Sequence, residues 1–280
     1  MSAHAVYIVL FGALLNASWN AMVKRSGDTL LTTIMITSAA ALFAALALPF
    51  LPRPASASWP FIGASVLLQT LYYVLLVAAY RSGDMSHVYP IMRGTAPLIV
   101  AALSAALIGE AVAGARWLGI GLICGGVLGL ALHRPVQSVP HRSATAFALG
   151  NACVIAGYSI VDGLGVRRSG APVAYAFWIF LLSGIALLLW AAFWRRRQFA
   201  AQLRVRWPLG LAGGAATVTS YTLALWAMTV APVALVAALR ETSIVFAAMI
   251  SAVLLKERVT LQRLACTALI IAGVVVLRLA

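Results

Sequence analysis

Two arginines stand inside long apolar segments of this sequence. Arg93 lies in SHVYPIMRGTAPLIVAALSAALIGE (86–110), and Arg240 lies in the apolar run 232–255. Each is about five residues, or about 7 Å by helical rise, from the middle of its run. A guanidinium at that depth in an apolar segment needs a cavity or a partner. Two interpretations stay open: the arginines line a central pathway, one facing each access route, and attract an anionic group, or they bind backbone carbonyls and tie helices together.

Two acids accompany these cations in apolar surroundings. Glu241 follows Arg240 directly, and Asp162 lies in the run 145–166. A carboxyl group in such a segment is a candidate for proton coupling or for binding an ammonium group. A local ion pair between Glu241 and Arg240 is the alternative, although adjacent side chains on a helix do not face each other.

Other polar and aromatic side chains recur at helical spacing in several apolar runs. Amide, hydroxyl and aromatic groups can hold an organic solute by hydrogen bonding and stacking. Hydrogen bonds that join helices, and plain packing, are the competing interpretation. With the four charged residues above, the candidate binding residues are Asn16, Trp19, Asn20, Gln69, Tyr72, Tyr73, Tyr89, Tyr158, Thr217 and Tyr221.

Pro90, Gly94 and Pro97 surround Arg93 and are candidates for a hinge or gate. Proline frees a helical carbonyl and bends the helix. The corresponding places near Arg240 are Ala237 and Ile244. We therefore expect the distortion to be asymmetric, with the bend in the run that contains Arg93.

The elements that position these residues follow from composition. The chain has 280 residues, of which 63% are hydrophobic and 9% are charged, against roughly 25% charged in an average soluble domain. A soluble protein could not cover itself with so few polar groups, so the lipid bilayer must be the solvent. The net charge of +14 comes from short clusters between apolar runs, which is typical of membrane-flanking loops and argues against nucleic-acid binding.

Ten apolar runs follow one another along the chain. Each is about 20 residues, the length that an α-helix needs to cross a bilayer, whereas transmembrane strands would be about half as long. The sequence therefore predicts an all-α integral membrane protein with ten transmembrane helices. The predicted spans are 4–23, 30–51, 58–80, 86–109, 113–132, 145–166, 172–194, 207–229, 232–255 and 261–279.

The second half of the sequence repeats the first after a shift of 147 residues. This register superposes the less common residues, pairing Arg93 with Arg240, Glu110 with Glu257 and Gly126 with Gly273. Two domains are predicted, residues 1–135 with spans one to five and residues 140–280 with spans six to ten. Because five is odd, the second copy must be inverted in the membrane, a 5+5 arrangement typical of secondary transporters that alternate access by rocking one half against the other.

Two patterns predict structural contacts. Small residues at every fourth position allow close helix packing, which is expected on the face of Gly121, Gly125 and Gly129, either within the fold or in a dimer. Structural ion pairs near the membrane surface are expected between the acids and arginines that follow spans four and nine, namely Glu110 with Arg116 and Glu257 with Arg263.

The segment AYRSGDMSHVYPIMRGTAPLIVAALSAALIGE (79–110) and its counterpart AMTVAPVALVAALRETSIVFAAMISAVLLKER (227–258) resemble the two EamA repeats of the drug/metabolite transporter (DMT) superfamily. Both open with small residues and close with Glu, and the resemblance extends over the whole chain. It implies a ten-helix carrier of small metabolites in a bacterial inner membrane, often an exporter. The second span opens DTLLTTIMI without the Arg that many members carry there, so substrate assignments that rely on that residue do not transfer.

These observations favour a secondary transporter of a small organic metabolite, amino-acid-like and either zwitterionic or anionic. A channel or facilitator, and an aminophosphonate or organophosphonate permease, are the alternatives. Protons or another coupling ion are candidate partners, and monomer and homodimer both stay open. A membrane enzyme is disfavoured because the four His and six acids show no spacing suited to a metal or to acid–base catalysis, and no cofactor is expected.

The orientation of the chain has two conflicting indications. The loops that follow spans one, three, five, seven and nine carry 13 Lys and Arg, against 5 in the other loops and the tails. The positive-inside rule then places both termini outside. The family resemblance implies that both termini are inside. An inner-membrane, multi-pass location is expected in either case.

Overall fold

We describe a computed structural model of the chain, which covers residues 1–24, 26, 28–131, 142–254 and 260–280. The predicted boundary between the two domains, at 136–139, and Glu257 lie outside these residues. The described chain is helical and contains no strand. Its helices are α1 (Ala3–Lys24), α2 (Thr29–Ala47), α3 (Trp59–Ser82), α4 (Met85–Leu107), α5 (Gly114–Ala131), α6 (Arg142–Ser169), α7 (Pro172–Trp194), α8 (Arg196–Val230), α9 (Val233–Arg240), α10 (Ser243–Leu254) and α11 (Leu261–Leu279).

Nine segments of the described chain are long and apolar enough to cross a membrane. One of them joins α9 and α10 across a short break, so that these two helices form the ninth span. The predicted eighth span, 207–229, is not among the nine because Thr217, Ser220, Tyr221 and neighbouring hydroxyl residues dilute its hydropathy. It is nevertheless continuous helix within α8. The all-α fold with ten membrane-length segments is therefore confirmed.

Contacts between helix ends define two faces of the bundle. At face A, α1 ends and α2 begins, and the His87 ring at the start of α4 lies 3.4 Å from the Ala131 carbonyl oxygen at the end of α5. At face B, the loop before α3 meets the end of α6, where Ala55 N–H donates to the Ser169 carbonyl at 2.9 Å. Helix α1 runs from face B to face A, whereas α6 begins at face A, so the second five-span unit is inverted relative to the first.

Local signals place the helix ends. The Asp28 carboxylate caps α2 by accepting from Leu31 N–H at 2.9 Å, and the Thr260 hydroxyl caps α11 by accepting from Arg263 N–H at 3.3 Å. Gly109 after α4 and Gly170 after α6 have φ values of 76° and 62°. This left-handed backbone favours glycine because other side chains clash there.

The helices of the two repeats pack against each other in a symmetric pattern. Helix α3 packs on α6, and in return α8 packs on α1; likewise α4 packs on α6 and α10 packs on α1. Helix α2 meets its counterpart α7, and α5 meets its counterpart α11. Each unit thus buries its first and third helices against the other unit, and the space between the repeats is enclosed by helices from both.

The contact between α5 and α11, here called the glycine seam, is backbone against backbone. A Cβ at Gly126 would lie 2.7 Å from the Cys266 carbonyl oxygen, and one at Gly273 would lie 2.7 Å from the Gly119 carbonyl oxygen. Of the predicted face, only Gly129 meets α11, where a Cβ would lie 2.9 Å from Cys266 Sγ, whereas a Cβ at Gly121 or Gly125 would have no atom within 4 Å. Small-residue spacing alone does not tell which side of a glycine-rich helix meets protein and which meets lipid.

Candidate functional site

A cavity of about 120 Å³ lies between the two repeats and reaches toward face A. Its lining includes Val23 at the end of α1, Thr29 at the start of α2 and Tyr80 near the end of α3, all of which lie at that face. One water needs roughly 10–15 Å³ of such space, and sites for drug-sized ligands have roughly 300–1,000 Å³. The cavity therefore suits a solute of a few heavy atoms or several waters.

Most of the candidate binding residues line this cavity. From the first repeat these are Asn16, Trp19, Asn20, Gln69, Tyr72, Tyr73, Tyr89 and Arg93. From the second repeat they are Tyr158, Thr217, Tyr221 and Arg240. The structure brings these twelve together, while Glu241 and Asp162 do not line the cavity itself.

Sequence reasoning missed several residues of the wall. Tyr80 follows Tyr73 at i+7 on the same face of α3, so helical periodicity could have found it. Thr29 and Thr33 open α2 and also line the cavity. Phe180 carries no polar signal that would separate it from the other apolar residues of α7.

Arg93 and Glu241 form an ion pair that joins the two repeats. Arg93 Nε donates to Glu241 Oε2 at 2.9 Å, and the side chains are only 9% and 4% exposed. Within the described residues, the Arg93 Nη2 group has no hydrogen-bond partner. The suggested local pair between Glu241 and Arg240 is therefore replaced by a pair across the interface, and Arg93 keeps one donor group uncommitted.

Arg240 lies against an aromatic ring. Its guanidinium carbon is 4.9 Å from the centroid of the Tyr221 ring, which is cation–π geometry. Arg93–Glu241 and Arg167–Glu110 are ion pairs of the described chain, and Arg240 belongs to neither. The expectation that Arg93 and Arg240 face different access routes is wrong for this conformation, because both line the same cavity.

Asp162 is fully buried behind the cavity wall. Tyr175 Oη donates to its Oδ1 at 3.0 Å, and Tyr221 Oη donates to its Oδ2. Tyr221 thus presents its ring to Arg240 and its hydroxyl to Asp162. The prediction that Asp162 contacts substrate directly does not fit this placement, since the tyrosine stands between the carboxylate and the cavity.

Tyrosine rings build one wall of the cavity. Tyr72 meets Tyr73 and Tyr158 edge to face at centroid distances of 5.1 and 6.3 Å, and Tyr158 meets Tyr221 at 6.5 Å. Such contacts favour fixed ring orientations. Across the cavity, Asn20 Nδ2 donates to Asn16 Oδ1 at 2.9 Å, so an amide pair from α1 faces the aromatic wall.

Arg93 and Arg240 line both the cavity and a second, smaller space. This second space has about 10 Å³, large enough for about one water, and its lining also includes Pro97, Ser159 and Glu241. The two arginines therefore lie between a cavity that reaches toward face A and a small void deeper in the bundle.

A network of polar contacts, here called the face B clamp, joins four helix ends. Arg167 Nη2 lies 2.6 Å from Glu110 Oε1, and Glu110 Oε2 accepts from Val233 N–H at 2.9 Å. Arg167 also donates to the carbonyls of Met228 and Ala231 at 2.7 and 2.9 Å. The clamp holds the ends of α4, α6 and α8 and the start of α9. The expected pair of Glu110 with Arg116 is wrong, since Glu110 bonds Arg167 instead.

The helix break falls in the ninth span, opposite to expectation. Helix α4 stays continuous through Pro90 and Pro97, whereas α9 ends at Arg240. There the Thr242 hydroxyl donates to the Leu239 carbonyl at 2.7 Å, and successive i→i+3 bonds tighten the chain. The switch of the backbone from i→i+4 to i→i+3 bonds interrupts the α-helix here without a proline. Gly94 serves packing, because a Cβ there would lie 2.8 Å from Leu128.

The comparisons with known proteins match this architecture. The EamA-like transporter family matches residues 3–132 and 142–279. The chain belongs to the EamA-like transporter family. This transporter also matches 28 chains of solved structures. One of them, a protein crystal structure, superposes with a TM-score of 0.79 over 100% of this chain and 98% of the other at 18% identity, which supports the fold alone. No curated protein matches the chain.

Membership fixes the broad class of the molecule. It is a multi-pass membrane transporter of the DMT superfamily, as the EamA repeat pattern predicted. The 5+5 arrangement of membrane-length helices agrees with that class.

Proposed function

We propose that this protein is a secondary carrier that exports a small amino-acid-like metabolite, zwitterionic or anionic, by alternating access through the cavity between its repeats. One observation carries the proposal: both repeats contribute an arginine to a single cavity that reaches toward face A, while the face B clamp ties the helices together at the other end. A binding site between inverted repeats with one side closed is the geometry that alternating access requires.

The charges of the site support a carboxylate-bearing substrate. Glu241 compensates Arg93, and Asp162 lies behind Tyr221, so Arg240 presents the uncompensated positive charge at the cavity surface. Arg93 adds its free Nη2 donor. Guanidinium groups bind carboxylates through strong charge-assisted hydrogen bonds. The amides and phenols on the other walls suit the polar groups of a zwitterion.

The charge of the loops supports the proposed direction of transport. Face A carries 13 Lys and Arg and face B, with the tails, carries 5, so the positive-inside rule favours face A in the cytoplasm. The cavity then loads from the cytoplasm, which supports export across the inner membrane. Mapping the C-terminus with fusion reporters tests this orientation, and a cytoplasmic C-terminus would contradict it.

Counterflow in proteoliposomes tests the carrier mechanism. Vesicles are loaded with unlabelled glutamate, leucine, threonine or choline, and uptake of the same labelled compound is measured. We expect trans-acceleration by at least one amino acid and none by choline, a cation. Uptake that is independent of the internal solute would indicate a channel, and stimulation by choline alone would contradict the proposed substrate class.

The same assay tests the site. Arg240→Ala removes the uncompensated cation, so we expect it to abolish the counterflow that the wild-type protein shows. Arg204→Ala is the matched control, because Arg204 is exposed at the start of α8, away from the cavity. Equal counterflow by both variants would place the substrate elsewhere.

A further inference from the structure

Of the two acids at membrane depth, only one is paired directly with a cation. Among the described residues of the spans, the interior holds two cations, Arg93 and Arg240, and two acids, Glu241 and Asp162. Glu241 bonds Arg93 directly at 2.9 Å. Asp162 has no cation in ion-pair contact within the described chain, and its oxygens are held by phenols instead. A buried ion normally needs a paired charge, so this carboxylate needs an explanation.

Hydroxyl partners allow a carboxyl group two protonation states. An ionised Asp162 accepts from Tyr175 and Tyr221, as observed. A protonated Asp162 donates one hydrogen bond, and either tyrosine can accept it by rotating its hydroxyl. A lysine or arginine partner could not do so, because it has no acceptor. The surroundings of Asp162 therefore accommodate a proton without leaving a buried donor unsatisfied.

One side chain connects Asp162 with the cavity. Tyr221 lines the cavity, bonds Oδ2 of Asp162, and lies under the Arg240 guanidinium at 4.9 Å. On the other side, Tyr175 lies in the first turn of α7, close to face B. The remaining groups near the carboxylate are the Ser65 hydroxyl of α3 and the phenol of Tyr158 on α6. Asp162 thus sits between a phenol on the cavity side and a phenol toward the opposite face.

We propose that Asp162 is a proton-binding site that exchanges with the cavity through Tyr221. In the exchange, a hydronium ion in the cavity gives a proton to Tyr221 Oη while the original hydroxyl proton moves to Asp162 Oδ2. The products are neutral Asp162, intact Tyr221 and water. Resting on the proposed function, a proton on Asp162 removes the negative charge behind Tyr221, the ring on which Arg240 lies, and Arg240 then attracts a substrate carboxylate more strongly. One proton and one anion therefore bind together, and export by this route runs down the concentration gradient of the metabolite itself.

Infrared difference spectroscopy tests the proton site without any substrate. The reconstituted protein is moved between about pH 9 and about pH 5.5, a range in which exposed carboxyl groups stay ionised. We expect a protonated-carboxyl C=O band to appear in the wild-type protein and in Asp84→Asn, a matched control at an exposed acid. Asp162→Asn should lack the band. A band that persists in Asp162→Asn, or that does not change with pH, would overturn the proposal.

Tyr221→Phe provides a second test of the same carboxyl group, which holds even where Asp162→Asn fails to fold. It keeps the carboxyl group but removes one hydroxyl partner, so the C=O band should persist at a shifted frequency. An unshifted band would show that the titrating group is not the one that Tyr221 contacts.

Proton coupling is tested separately with labelled glutamate in proteoliposomes. We expect a pH gradient to accelerate uptake by the wild-type protein and by Asp84→Asn, and we expect the ratio of uptake with and without the gradient to fall to about one in Asp162→Asn. A gradient effect that survives in Asp162→Asn would overturn the coupling. Absence of wild-type counterflow would instead count against the proposed function for this probe, and the infrared result would stand independently.

Discussion

The pairing of Arg93 with Glu241 leads to a quantitative prediction about stability. Glu241→Gln leaves Arg93, whose side chain is only 9% exposed, without its carboxylate partner. Removing one partner of a buried ion pair destabilises a protein by about 3–5 kcal/mol, because the remaining charge is uncompensated. Arg93→Gln should have a comparable effect, since it leaves the Glu241 carboxylate alone.

A double-mutant cycle then tests which arginine is the partner. In Arg93→Gln/Glu241→Gln no charge is left unpaired, so the loss should be smaller than the sum of the single effects. We expect a coupling energy of about 2–3 kcal/mol, the upper part of the range for contacting residues. The cycle of Arg240→Gln with Glu241→Gln should give a clearly smaller coupling, because Arg240 lies over Tyr221 and makes no ion pair with Glu241.

The free energy of unfolding is measured by SDS titration in mixed micelles, with helix content followed by circular dichroism. All variants are compared in the same detergent, and a common slope of the transition is required for the comparison. A coupling to Arg240 that equals or exceeds the coupling to Arg93 would refute the cross-repeat pair. A loss below about 1 kcal/mol in Glu241→Gln would refute its burial.

Two further changes test contacts away from the cavity. Gly126→Ala should destabilise the fold by about 1–3 kcal/mol through overpacking in the glycine seam. Gly125→Ala, on the same helix but outside the seam, should be neutral or slightly stabilising. The same SDS titration measures both variants, and equal effects would contradict the seam. Glu110→Gln should loosen the face B clamp, so that Thr217→Cys in a cysteine-free background reacts faster with a membrane-impermeant maleimide added at face B. An unchanged rate there would show that the clamp does not hold face B closed.

The gross architecture could be predicted because the bilayer imposes simple rules. Helices of fixed length must alternate across it, and an odd repeat must invert. The residues that line the cavity could also be predicted from the sequence, because amides, phenols and guanidinium groups on apolar helices have few other uses. Tyr72, Thr217 and Arg240 were predicted and all line the cavity.

The pairing of charges could not be predicted in the same way. Sequence places Glu241 beside Arg240, yet helical geometry directs it to Arg93, 148 positions away. Glu110 likewise bonds Arg167 and not the nearby Arg116. Partner choice depends on which helices meet, and that is a property of the tertiary fold.

The site of the helix break was also hidden in the sequence. Proline is the usual signal, but α4 remains one helix through Pro90 and Pro97. A tight turn with i→i+3 bonds at Glu241 and Thr242 interrupts the ninth span instead. The bond of the Thr242 hydroxyl to its own helix is an ordinary one, so the threonine does not predict such a turn.

The glycine seam constrains how the molecule can move. At Gly126 and Gly273 the backbones of α5 and α11 touch so closely that a slide by one residue would drive side chains into carbonyl groups. Sliding of α5 along α11 is therefore blocked at this joint. For the proposed alternating access, we expect face B to open by flexing of individual helices, with the interrupted ninth span as the point of bending, and not by two rigid halves sliding past each other.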